Sequence, residues 1–182
     1  MNKRNELYVM RDEALKNGLN SMIDFINAIS PTSEMRMIEI GSYAGESTEI
    51  FANRFKSVLC IDPYLNDYDP NDITCYYMDL PEVFNTFKYV MDKHSNISHI
   101  RKLSDEAHKE IEDCAFDFVY IDGLHTYEQV KKDIEYYLPK IKKGGFIGGH
   151  DYHPNWQGVM DAINEKLIVD QTFSDTSWIV KL

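Results

Sequence analysis

Between residues 35 and 151 short apolar runs alternate with amphipathic segments five times, and no other feature constrains the fold as much. The runs 35–42, 57–64, 97–103, 116–122 and 144–151 read as strands, and 46–55, 82–93, 104–112, 127–138 and 155–167 as helices, from apolar spacing. Strands joined through helices lie parallel in one open sheet with helices on both faces. The run 116–122 is the most apolar, as expected of a central strand covered on both sides. Runs 168–173 and 177–182 are separated only by Ser174-Asp175-Thr176, which predicts a closing antiparallel hairpin at the sheet edge. The expected fold is therefore α/β: a doubly wound, mostly parallel seven-stranded sheet with a C-terminal antiparallel hairpin. Ahead of it, Leu7, Met10, Ala14, Leu15, Met22, Ile23 and Ile26 fall at helical spacing; Gly18 is expected to split them into two helices, and Ser30-Pro31 to end the second. With 182 residues and no linker or repeat, the chain reads as one domain, 1–182, in which 1–31 form a helical cap or lid. Residues 65–81, polar and interrupted by Pro70 and Pro81, read as a long loop, functional or mobile.

Charge narrows the partners. Thirty acids against 19 bases give a formal charge of −11, which repels polyanions, so nucleic acid is not expected. The 3 cysteines, Cys60, Cys75 and Cys114, show no metal-type spacing. No apolar stretch reaches membrane-span length and no apolar segment follows the charged start, so a cytoplasmic setting is expected.

The first strand runs into Glu39-Ile40-Gly41-Ser42-Tyr43-Ala44-Gly45 and then a helix. Open α/β sheets bind ligands beyond the carboxyl ends of their strands. Gly41 would allow a tight turn and close ligand approach, and Gly45 close helix–strand packing. Asp62, about twenty residues on at the end of strand two, stands where a carboxylate accepts hydrogen bonds from the ribose hydroxyls of an adenosine. The turn lacks the third glycine of dinucleotide sites and carries an acid within the strand, which implies a ligand with a cationic amino group rather than a pyrophosphate.

Asp122 and Asp151 end strands four and five. Neighbouring strands lie about 4.8 Å apart, so two such carboxylates can bracket one cation. His150 beside Asp151 suits Mn²⁺ or Zn²⁺ better than Mg²⁺. Capping of the following helices is the alternative role, although both acids fall a few residues early for it. His125, three residues after Asp122, is the candidate general base: an imidazole of pKa about 6.5 can take a hydroxyl proton at neutral pH. Its alternative is a structural hydrogen bond at a helix start. Tyr127 could orient a substrate or merely pack. His153 and Trp156 would wall the pocket, while His94, His99 and His108 fall on surface elements without a role.

The segments Ile38-Glu-Ile-Gly-Ser-Tyr-Ala-Gly-Glu-Ser-Thr48, Cys60-Ile-Asp-Pro63, Tyr120-Ile-Asp-Gly-Leu-His-Thr-Tyr127 with Asp133 downstream, and Gly144-Gly-Phe-Ile-Gly-Gly-His-Asp-Tyr152 together resemble a class I S-adenosylmethionine (SAM)-dependent methyltransferase of Rossmann-like fold. The resemblance spans roughly residues 35–162 and is strongest to small O-methyltransferases grouped with macrocin O-methyltransferase and cephalosporin hydroxylase-like proteins. It implies that Glu39 and the turn Gly41, Ser42, Tyr43 and Gly45 take the methionine end of SAM, and that Asp62 takes the ribose. Ser104 falls at the adenine contact, although Lys102 stands where a glycine is frequent, and a plain helix cap is the other role for Ser104. Asp122 would serve cofactor and catalysis, with a divalent metal (Mg, Mn or Zn) on Asp122, Asp151 and His150. The expected activity is SAM-dependent O-methylation of a hydroxyl on a sugar, phenol or polyol. A SAM- or nucleoside-binding protein without transferase activity and an NAD-dependent oxidoreductase are the alternatives. The expected partner is a small-molecule acceptor, with the N-terminal helices forming a lid or a homodimer contact.

Overall fold

The alternating runs become alternating elements in the computed structural model, which describes residues 6–66 and 78–182. Strands β1 (Arg36–Ile40), β2 (Ser57–Ile61), β3 (Ile97–Ile100), β4 (Phe116–Ile121) and β5 (Ile141–Gly149) are interleaved with helices α2 (Glu46–Ala52), α3 (Leu80–Met91), α4 (Ser104–Ala107) and α5 (Tyr127–Tyr137). Helix α1 (Glu13–Ile29) precedes them; α6 (Gln157–Lys166), β6 (Gln171–Thr172) and β7 (Trp178–Lys181) follow. One seven-stranded sheet results, in the order β3-β2-β1-β4-β5-β7-β6. β1 to β5 are mutually parallel, and β7 is antiparallel to both β5 and β6. The strand order reverses between β1 and β4, so their carboxyl ends open a crevice there. The closing pair is antiparallel as expected, and its last strand is the inner one.

β4 explains its own sequence. Phe118 and Tyr120 pack into an apolar cluster with Leu19, Phe51 and Phe87 from α1, α2 and α3. Val119 and Ile121 point the other way, against Ile134 and Ile163 from α5 and α6. A strand buried on both faces has no polar alternation to show. Phe51 meets Tyr120 edge-on at 5.0 Å between ring centroids, and truncating so buried an aromatic costs about 3–5 kcal/mol.

Three expectations need correction. Gly18 does not break the N-terminal helix: α1 runs unbroken from its Asp12 cap, whose side chain accepts the Leu15 N–H. Gly18 is there for contact, because a Cβ would lie 2.5 Å from both the backbone nitrogen and the Cβ of Asp175. Ser104 is not a helix cap either. Leu103 holds that position, and α4 lasts 4 residues before a 3-10 turn. His99 is no surface residue; it sits half-buried against Tyr64, Phe84 and Phe87.

Of the long segment after β2, residues 67–77, including Cys75, lie outside the described residues. On either side of it Asn66 bonds the start of α3, its Oδ1 accepting the Leu80 N–H at 2.8 Å. Cys60 is buried and Cys114 exposed, and both are free thiols. Among the described residues no helix is long and apolar enough to cross a membrane.

Candidate active site

A cavity of ≈ 410 Å³ opens at the carboxyl ends of β1, β2, β4 and β5, within the size range of small-molecule sites. The glycine turn after β1 forms its floor. Gly41 has φ +83°, and a Cβ there would lie 2.1 Å from the carbonyl oxygen of Asp122. The close approach that Gly41 permits is thus to the tip of β4. Gly45, also at φ +83°, packs against Phe87 and Val90 of α3 and does not line the cavity. Gly41, Ser42 and Tyr43 do line it.

Asp62 ties the tip of β2 to this turn. Its Oδ2 accepts the backbone N–H groups of Ser42 (3.1 Å) and Tyr43 (3.0 Å), and its Oδ1 that of Tyr64 (3.0 Å). His99 Nε2 lies 3.2 Å from the Asp62 carbonyl oxygen, bracing the same residue from β3. Burial lowers the His99 pKa, partly offset by its hydrogen bond to the Asp62 backbone.

Glu39 is placed differently from what the motif implies. Its carboxylate is fully buried beneath the turn, where it accepts hydrogen bonds from Ser47 Oγ (2.6 Å) and Thr48 Oγ1 (2.5 Å). Burial pushes its pKa up, and those hydroxyls pull it partly back. Glu39 locks the first turn of α2 to β1 and does not reach the cavity.

The other wall carries the charges. Asp122 and Asp151 stand at the tips of β4 and β5 with His125 between them. His125 Nε2 is 2.8 Å from Asp151 Oδ2 and 3.7 Å from Asp122 Oδ1. Burial lowers the His125 pKa, but the two carboxylates outweigh it and raise the pKa to about 10. The two carboxylates thus favour the protonated ring, and His125 must lose a proton before it can act as the base expected of it. Asp151 is held well below the usual carboxylate range, because hydrogen bonds and charge from His125 and His150 overcome its burial. His150 Nδ1 is 3.1 Å from Asp151 Oδ1, and its pKa is raised by the same pair of acids against burial. Asp151 adopts φ +61°, a conformation costing a non-glycine residue about 1–3 kcal/mol. The turn before β7 sustains it: Thr176 Oγ1 accepts the Asp151 N–H (3.2 Å), and the Thr176 carbonyl that of Tyr152 (3.0 Å).

One atom each from Asp122, His125 and Asp151 lie within 4.8 Å of one another, a spacing and donor set that a divalent cation can use. His125, rather than the expected His150, completes this group. Trp156 packs on His125 with ring centroids 4.8 Å apart. Tyr127 turns away to Glu165 and His153 caps its own turn at Asn155, so neither lines the cavity.

The far end is polar. Ser104, Asp105 and Asp133 surround the Gln129 amide nitrogen at 2.8–3.0 Å. Burial raises the Asp133 carboxyl to about 7 despite hydrogen bonds from Ser104 and Gln129.

Sequence reasoning missed the residue that closes the cavity from above. Arg11, just ahead of α1, donates from Nη2 to Asp122 Oδ2 at 2.7 Å. Glu46 accepts the backbone N–H groups of Met10 (2.5 Å) and Arg11 (3.1 Å), clipping this segment to α2. No local pattern links Arg11 to an acid 111 positions away.

Against known proteins, a family model described as a methyltransferase domain matches residues 38–152. The chain belongs to this methyltransferase-domain family. An uncharacterized protein of Acanthamoeba polyphaga mimivirus is 32% identical over 145 residues, covering 75% of this chain and 61% of that one. A second uncharacterized protein, from Sinorhizobium fredii, is 38% identical over 52 residues, 29% of this chain and 6% of its own length. The chain therefore spans about three-fifths of the first relative and a small part of the second. Among solved structures, a candidate caffeoyl-CoA O-methyltransferase from Staphylococcus aureus superposes with a TM-score of 0.66 at 16% identity, covering 97% of this chain and 86% of that one. The N-methyltransferase NodS of Bradyrhizobium japonicum gives 0.61 at 15%, covering 94% and 97%. These likenesses establish the class I methyltransferase fold.

Proposed function

We propose that this chain is a SAM-dependent methyltransferase acting on a hydroxyl oxygen of a small acceptor such as a sugar, phenol or polyol. One observation carries this reading: Asp62 at the tip of β2 and the Asp122–His125–Asp151 cluster at the tips of β4 and β5 face a single cavity. In it, the glycine turn borders the methionine end of SAM, Asp62 takes the ribose, Ser104 and Asp105 border the adenine end, and the cluster faces the reacting methyl group. The described part of residues 1–31 forms the cap of one domain, since Met10, Arg11 and Leu15 border the cavity.

The reaction is an in-line displacement. An acceptor oxygen pair forms the new O–C bond, the S–C bond electrons return to sulfur, and the sulfonium becomes a neutral thioether. The hydroxyl proton leaves to a base. His125 is placed for that role once its ring is deprotonated; until then it orients the acceptor as a donor. Asp122, His125 and Asp151 are the residues that would hold a divalent cation, which would supply acidification of the acceptor hydroxyl.

Calorimetric titration with S-adenosylhomocysteine and, separately, NAD tests the cofactor. Micromolar binding of the former alone is expected; binding of NAD alone would reject the reading. Labelled SAM offered with a panel of hydroxylated acceptors, with and without Mn²⁺ or Zn²⁺, then tests the acceptor class and metal assistance.

A further inference from the structure

With Glu39 sealed beneath the turn, the amino-acid end of SAM needs other partners. That end carries a carboxylate and an ammonium. Arg11 is the only lysine or arginine lining the cavity among the described residues. Its side chain is 10% exposed and is paired with Asp122 at 2.7 Å. Nη1 is enclosed and makes no close hydrogen bond; Asp175 lies 3.8 Å from it, and the Tyr120 hydroxyl acts on the same guanidinium. A guanidinium has five N–H donors, and a buried one left partly unbonded is costly unless an oxyanion completes it. The Asp122 backbone abuts Gly41, which places this ion pair against the turn where the methionine end would lie.

Resting on the SAM reading above, we infer that Arg11 and Asp122 form a clamp for a zwitterion: Arg11 takes the α-carboxylate of the cofactor and Asp122 its α-ammonium. Binding then replaces one buried ion pair with an alternating set of four charges. The segment bearing Arg11, clipped to Glu46 at its backbone, is held over the cofactor by the cofactor itself.

The test compares two ligands on the full chain by calorimetry: S-adenosylhomocysteine, and 5′-methylthioadenosine, which keeps the nucleoside thioether but lacks the amino-acid end. Arg11→Gln is expected to weaken the former by about ten- to hundredfold, the size of a lost charge-assisted hydrogen bond, and to leave the latter unchanged. Arg11→Lys should recover part of the loss, since an ammonium keeps the charge without the fork. If Arg11→Gln binds both ligands as the wild type does, or loses the same factor for both, Arg11 does not hold the carboxylate and the inference falls. Should Arg11→Gln fail to fold by circular dichroism, Arg11→Lys decides: selective weakening for S-adenosylhomocysteine supports the clamp, and equal affinities overturn it. A wild type that binds neither ligand overturns the SAM reading itself, and the clamp with it.

Discussion

Buried beside Ser104 and Gln129, the Asp133 carboxyl is raised to about 7, and this makes it a reporter on stability. Between the unfolded value near 3.8 and about 7 the native chain holds a proton that the unfolded chain has released. Its contribution is therefore fully present below the lower value and is lost as pH rises through the upper one. Asp133→Asn should gain stability relative to wild type from pH 5 to pH 8, by up to a few kcal/mol, read from urea midpoints; a constant difference would show an ordinary carboxylate. His125 gives the opposite kind of test. Without added metal, methyl transfer should climb with pH toward about 10, because His125 must shed one proton before it takes another. His125→Ala should cut transfer about 10²- to 10⁴-fold while leaving S-adenosylhomocysteine affinity intact; equal loss of both would assign His125 to binding. Asp62, Asp122, Asp151 and His125 could be picked out in the sequence because each ends a strand or follows one closely. Glu39 was misplaced for a reason that side-chain parity supplies: it shares the α2-facing side of β1 with Met37, whereas Ile38 and Ile40 face the other layer.

At the scale of elements, the five βα units were legible because period 2 and period 3.6 leave different marks on a sequence. Contacts between distant elements leave none. Gly18 reads as a helix breaker until Asp175 is found against it, and the inner position of β7 follows from pairing with β5, which no local pattern encodes. The same distinction separates two glycines. Gly144 (φ +81°) has nothing within 4 Å of an added Cβ, so Gly144→Ala should cost only the backbone conformation, about 1–2 kcal/mol. Gly41→Ala has the same conformational cost and also drives a methyl into the Asp122 carbonyl. Denaturant unfolding should show it to be clearly the more destabilising, and its S-adenosylhomocysteine affinity should fall as well; equal midpoints would contradict the close turn–strand contact.

For the whole molecule, the cavity is closed by segments far apart in the chain, so occupancy and global stability are coupled. S-adenosylhomocysteine at a hundred times its Kd should add about 2.7 kcal/mol of stability. It should also slow proteolysis ahead of α1; protection of the core without protection of that segment would mean that the cap does not respond to the ligand. The placement of β7 adds a constraint of time. Asp175 packs on Gly18 of α1, Thr176 braces Asp151, and the strand that follows them is the one that covers the edge of β5. A nascent chain synthesised only through α6 would leave β5 bare on one side and Asp151 without its brace. Completion of the site therefore waits for β7, and a chain that lacks this strand exposes an adhesive β-edge before the site is whole.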